Sequence, residues 1–299
     1  LVFPMSMALL FAEAQKSYII VSRLPEKAVK SMEKGLRKVL SPGASFVHIR
    51  KWQSAKELQS RIQNVLEGSS STAGIFVLGS KPTKTVLRSN LDLPTVYLAV
   101  DQLLRRELSK EERKRLVGVD FELPLDSVLE NLSKLVPKAE SLGTIQKRAR
   151  RHESSTRHGK FLLRKVSVEK QKDVARAVVK LLRKSDVLWL RPSRLLNSPV
   201  TVRYLLAKAL EMRKPVIGLS RNYVNAGALF CLEPEFQDIG HQLGKKMIDY
   251  EINGQRESSE GLSSPNTAQL IVNSRVARLL GIRLPKDFLE RADAQVIGR

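Results

Sequence analysis

Short β-rich apolar runs alternate with amphipathic helical patterns from Ser17 onward, and this alternation leaves the chain few possible folds. The run SYIIVSRL at 17–24 predicts a strand, and PEKAVKSMEKGLRKVL at 25–40 predicts an amphipathic helix with Pro25 in its first turn. Strands that alternate with helices along a chain are typical of βαβ units with parallel strands. We therefore predict an α/β fold built on parallel sheets.

The alternation runs through the chain twice. Further strands are predicted at 45–52, 73–80, 93–100, 141–148, 161–168, 185–193 and 215–220, with helices at 54–68, 125–137, 169–184 and 198–214. A chain of 299 residues is long enough for two domains. We predict two Rossmann-like lobes, residues 15–118 and 119–257, joined by a hinge. A ligand cleft is expected between them, beyond the carboxyl ends of the strands.

The two ends of the chain are predicted to lie outside this pattern. Residues 258–299 contain a strand, AQLIVN, and then two helices, and we expect this tail to cross back between the lobes at the hinge. Residues 1–14 are apolar and end in Ala12-Glu13-Ala14, the small-x-small pattern of a signal-peptidase site. They are interpreted as a signal-peptide remnant, which predicts a periplasmic or otherwise extracytoplasmic protein. The alternative is a short amphipathic helix packed on the first lobe.

The residues that could carry catalysis are scattered through the sequence. Cys231 is the single cysteine and lies in the apolar run GALFCL, so it is predicted to be a buried small hydrophobe. The four histidines share no motif with it, and no paired carboxylates, metal-spaced His and Cys or nucleophile elbow are found. The glycines of GLRKVLSPG and GHQLGKK are isolated and form no phosphate-binding loop. We expect a protein that is not an enzyme and needs no cofactor or metal.

A series of short motifs in the last eighty residues occurs in the order typical of one family. They are Ala226-Gly227-Ala228-Leu229, Pro234-Glu235-Phe236-Gln237-Asp238-Ile239-Gly240, Gly254, Leu270-Ile271-Val272-Asn273, Ala277 to Pro285, and Leu289-Glu290-Arg291-Ala292-Asp293. This order resembles the TrpX-like substrate-binding proteins of ABC transporters, a branch of the type I periplasmic binding proteins. The resemblance covers residues 117–298 well and residues 17–100 in pattern only.

The resemblance implies a two-lobed receptor that closes about a hinge on a small solute and passes it to a membrane permease. A second hypothesis is a protein that presents its ligand to a sensor kinase or chemoreceptor. An intracellular regulator of the same fold would need a DNA-binding headpiece, and residues 1–16 are too short and too apolar to form one.

The resemblance also implies which loops contact the ligand. The residues concerned are Ser80, Lys81, Ser193, Arg194, Ser220, Arg221, Asn222 and Gly227. Relatives carry a carboxylate for the ligand ammonium group at the position of Ser193, and many carry another after the strand that ends at Ser220. Here hydroxyls and cations occupy these loops, which favours an anionic ligand over an amino acid. Two alternatives stay open: Arg194 and Arg221 point outward as surface charges, and Gly227 only satisfies a tight turn.

Residues 147–184 hold fourteen Lys or Arg and three acidic residues. Their surplus of positive charge is half of the chain's net charge of +22. Such a run could bind nucleic acid or anionic lipid through phosphate groups. It lacks interleaved aromatics, a zinc pattern and a helix-turn-helix, so nucleic acid is not expected as a partner. We predict a solvated loop and helix face that lies near anionic lipid headgroups or contacts the permease.

Overall fold

The computed structural model describes residues 15–89, 91–98, 108–147, 152–196, 198–257, 261–286, 290 and 294–298. Contacts within the chain divide it into two compact units. Unit 1 contains residues up to Phe121 together with Phe236–Asn266, and unit 2 contains Glu122–Glu235 together with residues from Thr267 onward. The predicted signal remnant, residues 1–14, lies outside the described residues.

The strands and helices follow the predicted alternation closely. The strands are β1 (Ser17–Ser22), β2 (Ser45–Ile49), β3 (Thr72–Leu78), β4 (Thr95–Leu98), β5 (Gly118–Val119), β6 (Ser141–Lys147), β7 (Glu153–His158), β8 (Phe161–Val168), β9 (Val187–Trp189), β10 (Val216–Ile217), β11 (Phe230–Pro234), β12 (Leu262–Ser263), β13 (Ala268–Asn273) and β14 (Ala294–Ile297). The helices are α1 (Glu26–Leu36), α2 (Ala55–Gly68), α3 (Ser80–Arg88), α4 (Lys110–Lys114), α5 (Leu125–Leu135), α6 (Val174–Leu182), α7 (Pro199–Glu211), α8 (Arg221–Asn225), α9 (Phe236–Glu257) and α10 (Ser274–Leu280).

Unit 1 is a three-layer α/β unit. Its sheet has the order β12-β5-β4-β3-β1-β2, and every neighbouring pair is parallel. One face packs on α1 and α9 through a cluster that includes Ile20, Phe76 and Met247, and the other face packs on α2 and α3. The near-continuous apolar strands of this region are explained by burial on both faces, as in other parallel sheets.

Glycines bring α1 and α9 into close contact in unit 1. A Cβ atom at Gly240 would lie 1.9 Å from the carbonyl oxygen of Met32, and one at Gly35 would lie 1.9 Å from the carbonyl oxygen of Gln237. Neither position can hold a larger residue without separating the helices. Gly35 of GLRKVLSPG and Gly240 of GHQLGKK therefore serve helix packing.

Unit 2 has a mixed sheet with the order β14-β13-β11-β10-β9-β6-β8-β7. The strands from β11 to β8 in this order are parallel, while β13 and β7 run antiparallel to their neighbours β11 and β8. Helices α6, α7 and α8 cover one face, and α5 and α10 cover the other. The predicted α/β architecture with parallel sheets in two lobes is confirmed.

The division into units differs from the predicted boundaries at α9. Residues 119–257 were predicted to form the second lobe, yet α9 belongs to unit 1, where Ile239, Leu243 and Met247 pack against α1. The apolar periodicity of α9 identified its buried face but not the partner of that face. The tail is also divided, because β12 pairs with β5 in unit 1 while β13 and β14 join the sheet of unit 2.

Two segments have a secondary structure that differs from the prediction. The predicted loop before Phe161 contains β7, which pairs antiparallel with β8 as an exposed edge strand. Its sequence ESSTRH has no apolar alternation because it buries no side chain in the core. At the end of the tail, Ala294–Ile297 forms β14, which pairs parallel with β13, where the prediction had only helix. The Glu290 amide just before it donates to the Lys286 carbonyl, as in a helix. Within the described residues no helix combines the length and the apolar character that crossing a bilayer requires.

Candidate functional site

The carboxyl edge of unit 2 carries several of the predicted site residues. Ser193 follows β9, and Ser220 and Arg221 follow β10, and these two strands are parallel neighbours. The amide of Leu190 donates to the carbonyl of Ile217, which aligns the two strand ends. Side chains after neighbouring parallel strands meet at the same edge of the sheet. The structure therefore brings Ser193, Ser220 and Arg221 to a common edge.

Arg221 is held by polar groups of three strands in unit 2. Its Nη2 donates to the Oε1 of Gln269 at 3.3 Å and to the Oε1 of Gln295, and its backbone N–H lies 3.4 Å from the Oε1 of Glu233. The side chain is half-buried. Arg221 is therefore a cation held by these groups at the strand ends.

Other predicted residues are placed differently. Asn222 is exposed on α8, and Gly227 follows the end of that helix with a φ of 121°. The amide of Leu229 donates to the carbonyl of Val216, so the turn at Gly227 lies beside the start of β10. Gly227 thus lies at the amino edge of the unit 2 sheet, away from Ser220 and Arg221. The helix that follows the end of β10 is α8, which begins at Arg221. Arg194 begins a 3-10 turn, and its side chain lies outside the described residues.

An ion pair near the same edge was missed by the sequence analysis. The Nε of Arg191 donates to the Oε1 of Glu122 at 2.5 Å, and the guanidinium lies 5.0 Å from the centre of the Trp189 ring. The Arg191 and Glu122 side chains are 19% and 21% exposed. Arg191 lies two positions before the predicted ligand residue Ser193 in the sequence. Glu122 lies 69 residues away in the chain, so no local pattern could pair them.

Carboxylates are therefore present at the carboxyl edge of unit 2, although the predicted ligand loops carry none. Glu233 lies on β11, directly opposite Gln269 on β13, and faces the backbone N–H of Arg221. Burial raises the pKa of the Cys231 thiol to about 12, with the Glu233 charge adding to the rise and the Arg221 charge opposing it. The prediction that Cys231 is buried is confirmed. The edge combines cations with compensating anions.

Unit 1 places Ser80 and Lys81 at the carboxyl end of its own sheet. Both lie in the first turn of α3, after Gly79, whose φ of 105° turns the chain out of β3. Lys81 is exposed and Ser80 is half-exposed. The amide of Gly79 donates to the carbonyl of Leu98, which aligns this turn with the end of β4.

An arginine and a tryptophan at the same edge of unit 1 were also missed. Arg23 follows β1, and its guanidinium lies 4.3 Å from the centre of the Trp52 ring and donates to the Trp52 carbonyl. Trp52 follows β2 and is 9% exposed. A guanidinium over the face of an indole ring is held there by a cation–π interaction. In the sequence both residues lie at the end of a predicted strand, at 17–24 and at 45–52.

A scan against protein families gives a match over nearly the whole chain. The model described as ABC transporter substrate binding protein matches residues 25–296. The chain belongs to this family. The match confirms the predicted family membership. The family consists of substrate-binding proteins rather than enzymes. Among the described residues no group of three or more His, Cys, Asp or Glu side chains could hold a metal ion.

Individual relatives of this ABC transporter substrate-binding protein are distant. A tyrosine-binding protein from Clostridioides difficile strain R20291 is 21% identical over 221 residues, which cover 70% of this chain and 63% of the relative. The ligand-free, open structure of a substrate-binding protein with adhesive properties from Clostridium difficile has a TM-score of 0.68 at 18% identity and covers 94% of this chain and 99% of its own. A Streptococcus pneumonia domain in complex with L-Trp has a TM-score of 0.62 at 14% identity, with coverages of 95% and 100%. These structures share the fold.

Proposed function

We propose that this protein is the extracytoplasmic solute receptor of an ABC importer, and that its solute is a small organic molecule with an anionic group such as a carboxylate. In this proposal the solute is captured between the two units by closure about the hinge, and the closed form is recognised by the membrane permease. A ligand favours a closed form only when its contacts in that form exceed those in the open form. No chemical step is involved.

The observation that carries the proposal is the fixed orientation of Arg221. Two glutamine oxygens hold the guanidinium at the edge where β9, β10 and β11 end. A guanidinium has five N–H donors in a planar fork, so bonds to two amide oxygens leave donors for a carboxylate. Ser193 and Ser220 add hydroxyl donors at this edge, and Ser80 and Lys81 are proposed to contribute from unit 1.

An amino acid is a second candidate solute. Glu122 and Glu233 supply carboxylates that could bind an ammonium group, although the ligand loop itself carries Ser193 in place of an acid. The relatives named for tyrosine and crystallised with L-Trp support the same candidate. Both candidates share a carboxylate on the solute, and they differ in whether an ammonium group is needed.

A thermal-shift panel separates these possibilities. The probes are tyrosine and tryptophan, tyramine as an amine without a carboxylate, 4-hydroxyphenylpropionate as an acid without an ammonium group, and a set of dicarboxylates. A ligand that binds only the folded state raises the melting midpoint. We expect acids to raise it and tyramine to leave it unchanged. Stabilisation by tyramine alone, or by no probe in an extended solute library, would contradict the proposal.

Variants at Arg221 test the proposed role of the side chain. R221Q is expected to weaken binding of the stabilising acid by about tenfold or more, because a charge-assisted pair is lost. R203Q removes the same charge from the exposed face of α7 and serves as the matched control. Small-angle scattering with and without the acid should show a smaller radius of gyration in its presence. An unchanged radius at saturation would exclude hinge closure.

A further inference from the structure

Three residues form a row across the strands at the β7 edge of unit 2. Ser155 on β7 is directly opposite Arg164 on β8, and Arg164 is directly opposite Gly143 on β6. Residues that face each other across neighbouring strands project from the same face of the sheet. The row lies on the face covered by α6, because a Cβ at Gly143 would be 2.5 Å from the Cγ of Leu181.

The absence of a side chain at Gly143 allows α6 to pack closely over this row. As a result, the Nε of Arg164 is buried and has no hydrogen-bond partner among the described residues. A buried polar atom without a partner is costly, so in native proteins such atoms are nearly always satisfied by protein groups, ordered water or a bound ion. An anion that enters beside Arg164 would supply the missing acceptor.

A cavity of about 200 Å³ lies at this position. Its lining includes the cations Arg164, Lys180 and Lys184, the hydroxyl of Ser155 and the carboxylate of Glu153. The Nζ of Lys180 lies 2.9 Å from the Oε1 of Glu153, so one positive charge is compensated within the lining. The net charge of this set is positive, and its donors come from two strands and one helix.

The surroundings of the cavity add to its positive potential. Residues 147–184, which include β7, β8 and α6, hold fourteen Lys or Arg and three acidic residues. Clustered cations that border a concavity concentrate anions there. The cavity is also displaced across the sheet from the strand ends that carry Ser193 and Arg221, because β7 is the last strand of its sheet and β6 and β8 separate it from β9.

We propose that this cavity, lined by Arg164, Lys180, Lys184 and Ser155, is a binding site for a phosphate group and is separate from the solute site. The Arg164 fork would bind two phosphate oxygens, and the lysines would neutralise the remaining charge. A phosphate group reaches an extracytoplasmic protein either as free phosphate or as the headgroup of an anionic phospholipid. The chemistry of the site is the same for both sources.

Two probes distinguish the sources. Inorganic phosphate is titrated into the full chain by calorimetry, and the chain is sedimented with vesicles of phosphatidylglycerol and phosphatidylcholine. Saturable binding of inorganic phosphate identifies free phosphate as the ligand. Binding to the anionic vesicles without calorimetric binding of phosphate identifies a lipid headgroup. Failure of both probes would overturn the proposal and would leave the solute assignment untouched, because that assignment is read out by the acid panel.

Variants test whether binding comes from the cavity or from the overall charge of the chain. R164Q/K184Q should weaken binding by at least about tenfold, since each basic residue near an anionic surface contributes a severalfold effect. K56Q/K245Q removes the same charge at two exposed lysines of unit 1 and should change binding by less than about threefold. Equal losses in the two pairs would show that net charge alone drives binding, and the proposal would be wrong.

Two further variants guard against loss of folding as an explanation. K180Q/K184Q changes lysines at or near the end of α6 and leaves Arg164 in place, and it should also lose binding. E153Q removes the carboxylate from the cavity and should strengthen binding about two- to fivefold, the size of effect expected for one charge near the site. Loss of folding would not strengthen the binding of inorganic phosphate to the cavity, so an unchanged or weaker affinity in E153Q would count against the site.

Discussion

The guanidinium of Arg191 and the carboxylate of Glu122 form an ion pair at 2.5 Å, with about four-fifths of each side chain shielded from water. The pair joins the segment that precedes α5 to the loop that follows β9, within unit 2. Charges in such a shielded position must be paired to be tolerated. Glu122 therefore has a structural role at the edge of the candidate site, besides any contact with a solute.

Replacing Glu122 by Gln should lower the free energy of unfolding by about 1 to 3 kcal/mol, because Arg191 would keep its charge without its anion. Chemical denaturation followed by circular dichroism measures the change. E130Q breaks the exposed pair between Glu130 and Lys134 on α5 and should cost less than about 0.5 kcal/mol. Equal costs for the two variants would show that burial of the Arg191 pair contributes little.

Gly240→Ala should destabilise unit 1 severely, because the added Cβ would lie 1.9 Å from the Met32 carbonyl oxygen. We expect a loss of about 3 kcal/mol or more, the upper range for overpacked contacts against backbone. Gly68→Ala at the end of α2 is the control, since its Cβ would have no neighbour within 4 Å. Thermal melts of the two variants give the comparison, and a native-like melting temperature for G240A would contradict the close helix packing.

Asp186 predicts a specific dependence of stability on pH. Partial burial acts to raise the pKa of its carboxyl, but hydrogen bonds from the Glu140 amide and from the Ser141 amide and hydroxyl outweigh burial and lower it. A carboxylate whose pKa is lowered in the folded state stabilises the fold at pH values above the ordinary Asp pKa of about 3.9. This stabilisation is lost as the pH falls through the folded-state pKa. D186N should therefore be less stable than the parent at pH 7, and the gap should close below about pH 3.9.

Denaturation of both proteins between pH 7 and pH 2.5 measures this gap. Asp126 lies in the first turn of α5, and D126N serves as the matched control because it removes a carboxylate from the same unit. A gap for D186N that stays constant over the whole range would mean that the hydrogen bonds do not depend on the charge.

The Cys231 thiol should be inert in the folded protein. Burial raises its pKa to about 12, and the residue is fully covered by the core of unit 2. Only the thiolate reacts with alkylating reagents and disulfides. Iodoacetamide at pH 8 should label the protein only after unfolding in guanidinium chloride. Rapid labelling of the native chain would show that β11 opens locally.

The motifs that carried the family resemblance have structural explanations in their own right. Gly240 is required by the approach of α9 to Met32, and Asn273 caps α10 by accepting from the Val276 amide at 3.0 Å. The Nδ2 of Asn273 also donates to the carbonyl of Val224 at 2.8 Å. Gly227 ends α8 with a positive φ. The family is thus recognised mainly by residues that build the fold, which explains why these motifs identified the family and did not identify the solute.

The alternation of apolar strands and amphipathic helices determined the secondary structure and the α/β class. The amino acids of β1 or α6 encode burial by their own spacing, because the period of a strand or helix is a local property. The same local rule failed for β7, an exposed strand that buries nothing, and for the last part of the tail. Ser220 and Arg221 could be assigned to a strand end because the strand predicted at 215–220 ends there.

What only the tertiary structure decided is which distant residues meet. The partner of α9, the pairing of Arg191 with Glu122, the two glutamines on Arg221 and the unsatisfied Arg164 all depend on strand order and register. Such contacts join segments tens of residues apart, and many partners of suitable chemistry exist for each group along the chain. The sequence by itself thus determined the elements and the family, while the fold alone selected the contacts, because burial has a local signature and pairing between distant segments has none.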